Sequence, residues 1–193
     1  ALPAWLAFHT GAAITAERNW LISKQYEKRW SPSERARLKD ITQRYKVKWS
    51  GNTRHIPWNN LLERVDIIPT SMVATMAAAE SGWGTSKLAR LNNNLFGMKC
   101  AKGSCTNAAG KVKGYSSFDS VKESVNAYVV NLNTHPAYTS FRKSRNQLRQ
   151  ADQEVTASAM IHKLEGYSTK GSSYNNYLFA MYQDNQRLIA SHM

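Results

Sequence analysis

Thr70 to Ala79 is an uncharged run of small and apolar residues, opened by Pro69 and closed by Gly82 and Gly84. Proline suits a helix start and glycine a helix end. A helix that is apolar on nearly every side is an interior helix, so this segment belongs inside a helical fold. It ends on Glu80, which falls at i+4 from Met76 and i+8 from Met72, on the stripe that carries apolar contacts. Partial desolvation there favours the neutral carboxyl, and the negative end of the helix dipole opposes the anion again. Both effects raise the expected pKa, as a general acid near neutral pH requires. The plainer alternative is a Glu80 paired with Lys87 or Arg90 just beyond the turn.

The flanking segments predict more helix. From Ile14 to Tyr45 the pattern gives two helices parted at Ser31-Pro32, with Glu34 completing a capping box. Trp49 to Trp58 reads as a loop, and Asn59 to Val65 as a short helix. Thr85 or Ser86 caps another helix to Leu91. After Phe96, Gly103, Gly110 and Gly114 punctuate a polar stretch that predicts a small β-hairpin lobe. Ser120 and Glu123 open a helix to about Asn133, and two more fit Arg145–Glu165 and Ser173–Ile189. Tyr174, Tyr177 and Tyr182 have spacings that suit packing between helices. The outline is mainly α with one small β insertion.

Twenty-six Lys and Arg against 13 Asp and Glu give a net charge of +13 over 193 residues. That favours an anionic partner: nucleic acid, lipid headgroups or an anionic wall polymer. Residues 1–68 carry 12 basic and 6 acidic side chains and the remainder 14 and 7, so no dense basic arm stands out. The apolar run Ile67 to Ala79 is too short and too broken to span a bilayer, and no phosphate-loop glycine spacing occurs. A start at Ala1 instead of Met is expected of a chain that has lost a leader. The five histidines form no i,i+4 pair, so neither metal nor other cofactor is expected. Cys100 and Cys105 lack the ligands for a closed zinc site. A short-loop disulfide is the better reading, and it places the chain in an oxidising compartment.

The stretch Ala77-Ala78-Ala79-Glu80-Ser81-Gly82-Trp83-Gly84-Thr85-Ser86, followed by Asn93-Asn94-Leu95-Phe96-Gly97-Met98-Lys99, resembles the signature of bacterial peptidoglycan N-acetylglucosaminidases, glycoside hydrolase family 73. The likeness continues through Tyr115-x-x-Phe118, His135-Pro136-Ala137-Tyr138 and Gly166-Tyr167-Ser168-Thr169 before Tyr174. Arg64 to Pro69 and Asn131 to His135 are most similar to the Bax-type branch. The resemblance implies a lysozyme-like helical domain over residues 61–193, with a groove against the β-lobe, preceded by a helical extension over residues 1–60. It implies Glu80 as catalytic acid, Tyr167 near the reacting centre, and Trp83, Asn94 and Phe96 shaping the groove. Core packing is an equal alternative for Trp83 and Phe96, and the better one for Tyr138. The expected partner is the peptidoglycan glycan strand, met by a monomer in the periplasm or outside the cell, with no nucleic acid.

The family's second acid is missing. Met98 to Phe118 contains no Asp or Glu, and both Asp119 and Glu123 suit a helix start. Two-carboxylate hydrolysis needs that second group at a set separation. Its absence points instead to attack by the substrate's own 2-acetamido oxygen. Two rivals remain open: a lytic transglycosylase, which runs on one glutamate, and a wall-binding module whose catalysis has lapsed.

Overall fold

The computed structural model describes residues 2–101, 105, 108–164 and 171–191. These form α1 (Leu2–Lys24), α2 (Pro32–Arg44), α3 (Trp58–Arg64), α4 (Thr70–Ser81), α5 (Lys87–Asn92), α6 (Val121–Thr134), α7 (Thr139–Gln150), α8 (Ala157–Met160) and α9 (Ser172–Ala190). Single 3-10 turns cover Pro136–Tyr138 and Ile161–Lys163. No helix among the described residues is long and apolar enough to cross a membrane.

Local chemistry sets most boundaries. The Ser31 hydroxyl accepts from the Glu34 N–H at 3.1 Å while the Glu34 carboxylate accepts from the Ser31 N–H at 3.0 Å. That is a complete capping box, with Pro32 at the first helical position. Ser86 and Ser120 cap α5 and α6 by accepting from Ala89 and Glu123. The helix expected from Arg145 to Glu165 is two pieces instead. α7 begins at Thr139 and stops at Gln150, Asp152 turns at φ +53°, and Thr156 caps the short α8.

α4 is the central helix. Met72, Val73, Met76 and Ala77 are fully buried, and α1, α8 and α9 pack on it while α1 also lies on α6. Leu21 of α1, Leu38 and Ile41 of α2, Leu132 of α6 and Leu178 of α9 join the same core. Each buried side chain of this size contributes about 1.5–3 kcal/mol. The helices within residues 1–60 therefore share one core with α4, α6 and α9.

A buried charge cluster fixes where α4 begins. Asp66, 1% exposed in the link from α3 to α4, takes two hydrogen bonds from Arg149 at 2.8 and 2.9 Å. Arg18 of α1 stands 3.6 Å from the same carboxylate. Arg145, wholly buried, donates to the carbonyls of Glu63, Asp66 and Ile67 and to Asn133 Oδ1. Burial alone would raise the Asp66 pKa, but the Arg149 hydrogen bonds and the charges of Arg145, Arg18 and Arg149 hold it below the ordinary carboxylate value. Burial pushes the Arg145 guanidinium down to about 10. Helices α1, α6 and α7 thus converge on one turn of backbone.

Candidate active site

Glu80 sits on the last turn of α4, half-buried. The Tyr174 hydroxyl, from the first turn of α9, donates to Glu80 Oε1. Gly97 faces the other oxygen: a Cβ built there would lie 3.9 Å from Glu80 Oε2, and its φ of +64° lies in the left-handed region that favours glycine. The carboxyl is held between two segments that neither propensity nor periodicity joins to α4.

The turn after Glu80 is built by Ser81. Its hydroxyl donates to the Ala77 carbonyl at 2.5 Å and accepts from the Gly84 N–H at 2.8 Å, while the Ser86 N–H returns to the Ser81 carbonyl. Gly82 ends the helix in the left-handed region at φ +56°. Trp83 follows at φ +60°, a conformation that costs a bulky residue about 1–3 kcal/mol. Its side chain is 57% exposed, so burial of the indole does not repay that strain. The indole is a large aromatic left in water three residues after Glu80 in the chain.

The facing wall hangs on three consecutive asparagines. Asn92 donates to the carbonyls of Val112 and Ser116 and accepts from the Val112 N–H. Asn93, in the left-handed cap of α5, donates to the Phe118 carbonyl. Asn94, 1% exposed, donates to the carbonyls of Met98 and Ser116 and accepts from the N–H groups of Phe96 and Met98. These amides take backbone groups that a hairpin would pair. Among the described residues the expected β-hairpin lobe is therefore reduced to one antiparallel bridge, Lys99 with Tyr115. The Cys100–Cys105 disulfide closes the loop beside that bridge.

Phe96 is buried behind the wall, stacked on Tyr128 with ring centroids 4.0 Å apart. The Tyr128 hydroxyl donates to Met76 Sδ at 2.8 Å, one turn before Glu80. This chain of contacts ties the Asn93–Gly97 turn to α6 and α4. Asn94 and Phe96 thus hold the turn that carries Gly97 in place.

Tyr138 is buried in the turn after α6. Tyr128 touches Met76 while Asn133 donates to the Asp66 carbonyl, so α6 runs antiparallel to α4. Tyr138 follows the end of α6, is 9% exposed, and its ring stands 6.0 Å from that of His135. Tyr167 lies outside the described residues. Tyr177 is 54% exposed and not in the core. Asp119 and Glu123 stand at the start of α6, where the Glu123 carboxylate accepts from the Asp119 N–H at 2.9 Å. Two contributors are not legible in the sequence pattern. Tyr174 has the spacing of a core residue, and Asn92 sits one position ahead of the recognisable turn.

An acid at the end of a central helix, a tyrosine on its carboxyl and a glycine turn against it form the candidate site of a mainly α, lysozyme-like fold. The chain belongs to the glucosaminidase family, whose description reads mannosyl-glycoprotein endo-beta-N-acetylglucosaminidase and whose match covers residues 57–187. Within it the chain is of the Bax type: it is 87% identical over 182 residues to Protein bax of Escherichia coli (strain K12). That alignment covers 94% of this chain and 66% of the relative, so the chain spans just under two thirds of that protein's length. No solved structure matches the chain.

Proposed function

We propose that this chain is a cell-wall hydrolase that cuts the glycosidic bond after N-acetylglucosamine in peptidoglycan, with Glu80 as general acid. The observation that carries the reading is the seat of the Glu80 carboxyl, between the Tyr174 hydroxyl and the bare Gly97, with the exposed Trp83 three residues on in the chain. Glu80 gives its proton to the leaving glycosidic oxygen. The substrate's 2-acetamido oxygen forms the bond to the anomeric carbon as the glycosidic bond breaks. Glu80, now a carboxylate, takes a proton from the water that opens the cyclic intermediate, and a reducing sugar leaves. The acid-free sequence from Met98 to Phe118 supports this route over two carboxylates, as does the Glu123 carboxylate spent on its own helix start. Tyr167 would orient the acetamido group or stabilise developing charge, and Trp83 would stack on a sugar. A disulfide in the site wall fits an oxidising compartment, the periplasm or beyond.

Mass spectrometry of digested sacculi tests the reading. The expected products carry N-acetylglucosamine at a reducing end, and Glu80→Gln lowers turnover by about a hundredfold or more while the protein stays folded. A 1,6-anhydro product would make the chain a transglycosylase, and binding without any product would make it a lapsed enzyme. A substrate whose acetamido group is replaced by hydroxyl should be nearly inert, and its rapid cleavage would exclude acetamido assistance.

A further inference from the structure

The balance of charge between the two halves of the sequence hides a concentration within the first. Residues 24–58 carry ten Lys and Arg against three Asp and Glu. All three acids are engaged locally. Glu27 accepts from the Arg29 N–H, Glu34 pairs with Lys24 and closes the Ser31 box, and Asp40 pairs with Arg44 at 2.8 Å. One side of α2 is devoted to α1: Arg37 lies 4.4 Å over the Trp20 ring and Arg44 bonds Glu17. Leu38, Ile41 and Thr42 face the core.

The remaining side of α2 is different. Arg35 and Lys39, one turn apart, are exposed there with Ala36 and Gln43, and Lys46 is exposed just past the C-cap Tyr45. Among the described residues no carboxylate lies within salt-bridge reach of these three cations. The arrangement is unfavourable for the isolated helix. Like charges at i,i+4 repel, and Arg35 sits near the positive end of the helix dipole. A cation row that helix stability does not call for is suited to an anionic partner. The same side presents no large apolar residue, so it lacks the wedge with which an interfacial helix enters a lipid layer. It also contributes no residue to the walls around Glu80.

We propose that the outer side of α2, with Arg35, Lys39 and the following Lys46, is a second docking surface that holds the polymeric substrate by the carboxylates of its peptide stems. The proposal rests on the reading of the chain as a peptidoglycan hydrolase for the identity of that polymer. Peptide-bearing glycan is a polyanion, and a cation row remote from the acid engages the same polymer at a distance from the bond being cut. The contact is electrostatic and exposed, so it acts through affinity and is screened by salt.

Binding to purified sacculi by R35E/K39E tests it, against K143E/K163E, which makes the same change in net charge at exposed positions of α7 and the turn after α8. Binding is read in a Glu80→Gln background, so it does not depend on turnover. The expected result at low salt is a loss of about tenfold for R35E/K39E and little for the control, with the difference vanishing as salt rises. Amidating the wall carboxylates should impose the same loss on protein with an unaltered α2. On short glycans without peptides, R35E/K39E with Glu80 intact should match the unaltered enzyme. Equal losses in the two double variants, or undiminished binding to amidated sacculi, would overturn the proposal. So would loss of binding to anionic phospholipid vesicles with sacculus binding intact. Should no variant or parent release sugar, the functional reading fails while the sacculus comparison still decides the docking surface.

Discussion

Replacing Asp66 by asparagine keeps the outline of the side chain and removes the one negative charge at the meeting point of α1, α6 and α7. Arg149 and Arg18 retain 34% and 12% exposure and regain some hydration. Arg145 has none, and it is left charged in the interior with its Nε already without a hydrogen-bond partner. Removing one member of a buried ion pair costs about 3–5 kcal/mol, and the partial exposure of the other arginines places Asp66→Asn near about 3 kcal/mol. For a chain of this length that is a fall in Tm of about 6–12 °C. Urea unfolding should show a lower midpoint at an unchanged slope. The pH dependence has a definite sign. The folded pKa of Asp66 lies below its unfolded value, which is about 3.9. Its stabilisation is therefore complete above that value and is lost as pH falls through the folded one. Asp66→Asn should remove that part of the acid limb of the stability profile. A loss under about 1 kcal/mol, or an acid limb identical in the two proteins, would refute the view that this carboxylate anchors the start of α4.

Denatured, unreduced protein should titrate with no free thiol, and reduction should cost at most about 3 kcal/mol because the closed loop is short; two thiols would disprove the bridge. Glu123→Gln keeps an acceptor for the Asp119 N–H, so it should cost only about 0.3–1 kcal/mol through the lost charge at a helix start and leave the turnover of folded protein unchanged, and a collapse of rate in well-folded protein would bring that carboxylate into the chemistry. Trp83→Gly should relieve the left-handed strain and keep stability equal or up to about 1 kcal/mol higher while KM on glycan rises. Clear destabilisation would make the indole a structural element instead.

The features legible in the sequence are those that depend on neighbours in the chain. Ser31, Ser86 and Ser120 begin helices because a hydroxyl reaches an N–H three residues on, and the Ala-rich run before Glu80 is interior by composition alone. The break near Asp152 is invisible there because neither glycine nor proline marks it. The contact of Tyr174 with Glu80 spans 94 positions, and helical spacing assigns such a tyrosine a side of a helix, not a partner. Tyr138 matches a family pattern and is buried in the turn after α6, but a pattern conveys neighbourhood along the chain and not in space. Asn92 and its two successors look like turn residues, and only the fold shows their amides replacing a β ladder.

That replacement has a consequence for how chains of this family can diversify. A strand paired in a ladder cannot gain or lose a residue without shifting the register of everything beside it. Here the rim opposite the acid is suspended from three fixed amides at the end of α5, whose backbone partners lie at Met98 and from Val112 to Phe118. Residues gained or lost in the chain between Cys105 and Lys111 shift no ladder register, so Gly97 and Glu80 can stay where they are. The rim is an exchangeable fitting on a constant frame, and differences in ligand preference between members of the family are expected to be written there first.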